Sequence, residues 1–289
     1  MGISYFSFKL LHYLIERARG GLSEHRLQDF LCYVFLFPIF TAGPIERFDR
    51  YFASREPRWQ LTTSVEGLTR IIHGLVKQMV INGLVLAPIL GRNSEVENVL
   101  GSLEFVPFYK AWGYVAISYL VVYVDFSAYS DIAIGVSRLY GLRIMENFHF
   151  PIFAANITDY WKRWHISLSS WCQTYVYIPM IGLTRNPYLA AYSSFLVMGI
   201  WHAGTMGRVC WGLYQATGVA VYMAWTRLLR KRRIRMPQGV AWRCMATALT
   251  LAFVMPSISF LVIEYKFGVY HAFRILFKLI GIDLPAGTA

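Results

Sequence analysis

The chain has 289 residues, of which 56% are hydrophobic and only 15% charged, against about 25% charged in a soluble globular domain. The apolar residues come in long runs, which excludes a water-soluble globular domain and points to helices in a bilayer. The formal net charge of +12 does not call for nucleic acid, because its densest part directly follows an apolar run, where basic residues mark the cytoplasmic membrane surface and meet anionic lipid. That part is Arg227, Arg230, Lys231, Arg232, Arg233 and Arg235. The expected fold class is all-α: a polytopic integral membrane protein with re-entrant or interfacial helices.

Met1 leads straight into Gly2-Ile3-Ser4-Tyr5-Phe6 with no basic region or small-residue cleavage site, so no cleavable signal peptide is expected. Six apolar runs are candidate spans: 27–40, 68–90, 106–124, 188–201, 209–229 and 246–263. The first and fourth are short for a hydrocarbon core that takes about 20 helical residues. Nine Trp and nineteen Tyr suit spans that end in aromatic belts. Among the connections, 46–70 and 138–163 are basic and 92–104 is acidic. Lys and Arg gather on the cytoplasmic side, so the basic connections and the run after 229 are expected inside and the acidic loop outside. The span over 188–201 then runs outward and carries His202 to the exoplasmic half. Cys32, Cys172, Cys210 and Cys244 have no metal spacing and read as small hydrophobes.

The segment 125–187 is too polar for a plain span and too aromatic for a free loop, which points to helices lining a cavity or lying at the interface. Within it, a helix over 158–171 would place Trp161, Trp164, His165, Leu168, Trp171 and Cys172 on one arc, with Arg163, Ser167 and Ser170 opposite. His165 on that apolar face reads either as a core histidine satisfied by a hydrogen bond or as a functional one. No GxSxG elbow surrounds the serines, which speaks against a serine nucleophile. Further on, His202 closes an apolar run among Gly199, Gly204 and Gly207. An ionisable group at membrane depth is a functional candidate, and the plainer alternative is an interfacial histidine at a helix end. Histidine suits general-base work near neutral pH. His73 and Lys77 share a helix face turned inward or snorkelling, and Asp125 and Asp131 are expected to cap or pack a helix. His12, His25, His149 and His271 have no supporting neighbours in sequence, and no metal-binding set is expected.

Four blocks together resemble the membrane-bound O-acyltransferases, in the branch of alginate O-acetylation and teichoic acid D-alanylation. They are Gly2-Ile3-Ser4-Tyr5-Phe6-Ser7-Phe8; Phe37-Pro38 with Ala42-Gly43-Pro44-Ile45; Asp125-Phe126-Ser127-Ala128-Tyr129-Ser130-Asp131-Ile132-Ala133-Ile134-Gly135 with Met145-Glu146-Asn147-Phe148; and Trp161-Lys162-Arg163-Trp164-His165-Ile166-Ser167-Leu168-Ser169 with Gly199-Ile200-Trp201-His202. The resemblance implies a single membrane-embedded acyltransferase domain over 1–289, lacking the family's amino-terminal helices. It implies an enzyme that moves an acyl group, expected to be acetyl, from a thioester donor to a hydroxyl in cell-envelope polysaccharide modification. His202 falls on the family's essential histidine and His165 on its second; Trp161, Trp164, Trp201 and Asn156 are the candidate substrate-binding residues. No tightly bound cofactor is implied, and acetyl-CoA or an acyl-carrier protein would be the donor. Expected partners are membrane lipids and an exoplasmic acyl-relay protein or a cytoplasmic acyl carrier, with no nucleic acid, in a bacterial inner membrane. Ala203 and Gln215 stand where the family often has glycine and histidine, and the loop after Tyr177 lacks the double glycine common in the alginate branch. A catalytically silent fragment and a transporter or channel subunit are the alternatives.

Overall fold

The computed structural model describes residues 2–55, 60–90, 103, 106–262 and 264–285. Most of the expected acidic loop over 92–104, Arg58 and Ile263 lie outside the described residues. Helices carry the chain, and the described residues contain no strand beyond one isolated bridge between Arg55 and Leu142. Three helical stretches are long and apolar enough to cross a bilayer: Leu61–Ile89, Phe108–Leu139 and Val240–Val262. The molecule is an all-α membrane protein.

The chain clusters into two compact units. The first comprises Met1–Leu84, Tyr123–His149 and Trp164–Trp171, and the second Val85–Val122, Phe150–Arg163 and Cys172–Ala289. The first unit holds α1 (Gly2–Ala18), α2 (Leu27–Val34), α3 (Phe48–Ala53), α4 (Leu61–Leu75) and the second half of α5 (Phe108–Leu139). The π-helical stretch Val76–Leu86 prolongs α4. Tyr33, Val34, Ile39, Phe48 and Tyr51 pack with Ala133, Leu142 and Ile144 as its core.

The helices α4 and α5 meet backbone to backbone at glycines. A Cβ at Gly67 would lie 2.8 Å from the Gly135 carbonyl oxygen, and one at Gly74 would lie 2.7 Å from that of Ala128. Apolar side chains gain nothing by leaving lipid for another helix, so close approach and polar bonds hold such a seam. Arg70 Nε and Lys77 Nζ each stand 2.6 Å from one oxygen of the buried Asp131. Gln78 donates to Asp125 at 2.8 Å. Lys77 thus turns inward, while His73 is exposed.

In the second unit, α9 (Pro187–Ala203) and α10 (Met206–Lys231) form a tight antiparallel hairpin. It follows α6 (Ile157–Trp161) and α8 (Ile178–Thr184) and precedes α11 (Val240–Val254) and α12 (Glu264–Lys278), while α7 (Ile166–Cys172), which comes between α6 and α8 in the chain, belongs to the first unit up to Trp171. Asn186 starts α9 cleanly, its side chain accepting from the N–H groups of Tyr188 and Leu189, with Pro187 pre-set at the first helical position. Gly204, at φ 66°, ends the helix in the left-handed conformation that glycine tolerates.

Four expectations need correcting. The run 27–40 does not span: α2 has 8 residues, about 12 Å of rise, and Pro38 sits in a separate 3-10 turn, Phe37–Ile39. The run 106–124 does not stop before Asp125; α5 continues for 32 residues to Leu139, because Asp125 and Asp131 find partners on α4 and its π-helical extension rather than capping a new helix. The single helix over 158–171 is broken between Trp161 and Ile166, with His165 at φ 44°. This break turns Ser167 inward, where it is buried. Finally, α9 has 17 residues and α10 carries Arg208 and its basic end, so neither joins the three helices that are long and apolar enough to span alone.

Candidate active site

His202 stands in the last turn of α9, three residues before the Thr205 cap of α10. The hairpin closes this tightly because two glycines remove side chains from the helix contact. A Cβ at Gly199 would lie 2.3 Å from the Arg208 carbonyl oxygen, and one at Gly212 2.4 Å from that of Phe195. Drawn together in this way, the helices set the His202 ring edge-on to Trp211, with centroids 5.3 Å apart. The Trp201 ring lies 4.8 Å away, tilted against it. Trp211 in turn meets Trp161 at 5.8 Å, and Trp161 packs on Phe195 at 4.9 Å. The indole N–H of the buried Trp161 has no acceptor among the described residues.

The hairpin tip is pinned from α12. The Glu264 carboxylate accepts the Gly207 N–H at 2.9 Å and the Thr205 hydroxyl at 3.0 Å. An acid at a helix N-terminus meets unsatisfied N–H groups and the positive end of the dipole. Arg208 Nη2 donates to the Leu261 carbonyl at 2.7 Å. His202 itself is exposed, and among the described residues no group hydrogen-bonds to its ring nitrogens. An imidazole held by aromatic edges, with both nitrogens open to a ligand, is equipped to take a proton from a bound hydroxyl.

His165 is built differently, inside the first unit. It is buried, stacked on Tyr5 at 6.4 Å and met edge-on by Phe126 at 4.8 Å. Its Nδ1 lies 3.1 Å from the Asn147 side-chain oxygen. That oxygen can only accept, so Nδ1 carries a proton and donates to it. The same oxygen accepts the Ser167 hydroxyl at 2.7 Å, and Ser167 Oγ accepts the Ile45 N–H at 2.9 Å. The Asn147 backbone oxygen accepts the Ile166 N–H at 2.9 Å. A non-glycine residue at φ 44° costs of order 1–3 kcal/mol, and this net of bonds is what holds His165 there.

Comparison with known proteins now decides the family. A model described as "MBOAT, membrane-bound O-acyltransferase family" matches residues 3–263. The chain belongs to the membrane-bound O-acyltransferase family. It is 34% identical over 230 residues to the probable alginate O-acetylase AlgI of Pseudomonas aeruginosa, covering 78% of this chain and 42% of that protein. It is 30% identical over 244 residues to the teichoic acid D-alanyltransferase of Streptococcus thermophilus, covering 78% of this chain and 57% of that protein. To the peptidoglycan O-acetyltransferase of Helicobacter pylori it is 30% identical over 257 residues, 83% of this chain and 46% of that protein. The chain therefore spans about half the length of these relatives.

Within this member of the family, ring contacts link Trp201 to His202, His202 to Trp211 and Trp211 to Trp161 in one unit. Trp164 lies in the other unit with His165, edge-on to Phe148 at 5.2 Å. Asn156 caps α6: its side-chain oxygen accepts from the Asp159 N–H at 2.8 Å and the Thr158 hydroxyl at 2.7 Å. It lines a cavity shared with Tyr222 and Trp225, more than two turns along α10 from Trp211.

Sequence reasoning missed Asn147, Trp211 and Glu264. Asn147 was legible as a residue of one of the family-like blocks without a role attached. Glu264 reaches Gly207 across 57 positions and leaves no local signal. Gln215 is buried, donating from Nε2 to Ser257 at 2.8 Å. Among the described residues no three His, Cys, Asp or Glu side chains gather as a metal-binding group.

Proposed function

We propose that the chain transfers an acyl group from a thioester to a hydroxyl of a cell-envelope polymer or of a relay protein that serves one, in a bacterial inner membrane, with His202 as general base. The observation that carries the reading is the hairpin tip itself. His202 sits on a braced turn in contact with two indoles, and its ring nitrogens have no protein partner among the described residues.

His202 takes the proton of the acceptor hydroxyl as its oxygen attacks the thioester carbonyl. A carbon–oxygen bond forms, the carbon–sulfur bond breaks, and the imidazolium returns the proton to the departing thiolate. Such a base is worth about 10²–10⁴-fold in rate. Acetyl-CoA or an acyl-carrier thioester is the donor. His165, whose Nδ1 is hydrogen-bonded to Asn147, is the second histidine candidate, and its own replacement tests its part separately. The names of the relatives support this acceptor class, since all three describe acylation of a cell-envelope polymer.

The test is transfer of labelled acetyl groups in membranes holding this chain, beside His202→Ala and His202→Gln at matched abundance. The expected result is loss of at least about 100-fold in both variants. Undiminished labelling in both removes His202 as the base.

A further inference from the structure

The basic run that ends α10 borders a built cavity. A cavity of about 620 Å³ lies between the end of α10 and the start of α11, lined by Tyr222, Trp225, Val240, Trp242 and Arg243 among others. Val240, Trp242, Arg243 and Ala246 belong to the first two turns of the apolar helix Val240–Val262, which is long enough to cross a bilayer. The cavity mouth therefore sits where a span leaves the hydrocarbon. Trp and Tyr concentrate at that level because one end of each ring is apolar and the other wet.

Arg243 stands in the lining, and Arg227, Arg230, Lys231, Arg232, Arg233 and Arg235 lie in sequence between or beside the lining residues Thr226, Leu229 and Met236; all seven are exposed. Among the described residues none of these seven cations has an ion pair. Elsewhere several buried or half-buried cations do: Arg70 and Lys77 with Asp131, Arg138 with Glu66, Lys278 with Asp283. Asp159, the acid felt by Tyr222, is already taken by Arg163 at 2.9 Å. A largely apolar cavity walled by Trp225 and Trp242, with Arg243 as the one charged residue of its lining, suits an anion with a hydrocarbon tail.

We infer that this cavity is a discrete site for one anionic phospholipid, its phosphate at Arg243 and the 230–235 loop and its acyl chain along Trp225 and Trp242. This goes beyond a basic surface resting on a membrane, because it specifies one saturable molecule rather than a diffuse layer. It does not depend on the acyl-transfer reading.

The full chain, purified in a non-ionic detergent and stripped of lipid, is offered equimolar palmitoyl-oleoyl phosphatidylglycerol and phosphatidylcholine and read by native mass spectrometry. A single phosphatidylglycerol adduct is expected to exceed the phosphatidylcholine adduct about tenfold. Arg243→Gln is expected to cut that preference about fivefold, as loss of one cation beside an anionic headgroup does. Arg243→Lys, which keeps the charge, is expected to retain most of it and so separates charge from folding. Equal adducts of the two lipids, or a preference unchanged in Arg243→Gln, would overturn the site. So would a preference lost equally in Arg243→Lys, or a ladder of phosphatidylglycerol adducts that never saturates.

Discussion

At the scale of single residues, the two histidines occupy opposite environments and should respond oppositely to substitution. His202 is exposed at a helix end, so His202→Ala is expected to leave stability within about 0.5 kcal/mol while removing transfer. Asn147 is fully buried and serves His165, Ser167, Ser130 and Ile166 at once. Asn147→Ala strands several of those groups, each at about 1–3 kcal/mol. Thermal melting in detergent should therefore fall by several degrees for Asn147→Ala and hardly at all for His202→Ala. Equal melting of the two variants would refute the bonding net. Both histidines could be singled out from sequence because an ionisable group in an apolar run is conspicuous. Asn147 could not, since polar residues before an aromatic cluster are common and only the fold brings residue 147 to residue 165.

Glu46 makes a second residue-scale case. It is buried, and its carboxylate accepts the N–H groups of Arg47 and Met145. Burial pushes its carboxyl up to about 7, against the pull of those bonds and of Arg50. A carboxyl raised on folding binds more protons folded than unfolded. Its favourable contribution is thus present at low pH and lost as pH rises from its unfolded value, near 4.3, to about 7. Lys9 is buried in the same unit, donating to the Val34 carbonyl at 3.2 Å, and burial lowers its ammonium to about 7. Its slope lies elsewhere: the cost of its charge persists up to pH 7 and fades only above it. The window from pH 5 to 7 therefore reports on Glu46. Melting temperature should decline across it in the parent and stay flat in Glu46→Gln. A parent equally stable at pH 5 and pH 7 would show that the carboxylate is not desolvated.

At the scale of elements, the glycines separate two kinds of crowding. A Cβ at Gly212 meets the Phe195 backbone, which cannot move without parting α9 from α10. A Cβ at Gly207 meets the Glu264 carboxylate at 2.3 Å, the far end of a flexible side chain. Gly212→Ala is accordingly expected to cost about 1–3 kcal/mol by overpacking. Gly207→Ala should cost only about 1 kcal/mol, the price of a lost cap. Differential scanning fluorimetry of the two variants gives the order, and a reversed order would contradict the backbone contact at Phe195. The same physics explains which elements could be read in advance. Long apolar runs such as 68–90 and 246–263 declare themselves by composition. The break at His165 does not, because its cause is a set of bonds to Asn147 and Ile45 that no helical period can register. The failure of 27–40 as a span was written in Pro38, which withholds a backbone donor and ends α2's run.

At the scale of the whole molecule, charge and helix length together predict which side of the membrane each end of the α9–α10 hairpin faces. The basic run occupies the C-terminal end of α10, and His202 and Glu264 occupy the other end. The 26 residues of α10 rise about 39 Å, enough to separate the two ends by the ~30 Å of a hydrocarbon core. Positive residues stay on the cytoplasmic side, so His202 should face away from it. The site would then present acceptor hydroxyls on the side where envelope polymers lie. Cys244, exposed in the first turns of α11 beside the basic loop, is a natural reporter. In a version with the other three cysteines replaced, a membrane-impermeant maleimide added to intact cells should leave Cys244 unlabelled and should label it after the membrane is opened. A cysteine placed at Thr205 should label in both cases. Labelling of Cys244 in intact cells would invert the hairpin, place His202 with the cytoplasmic thioester pool, and require the acceptor to come from inside the cell.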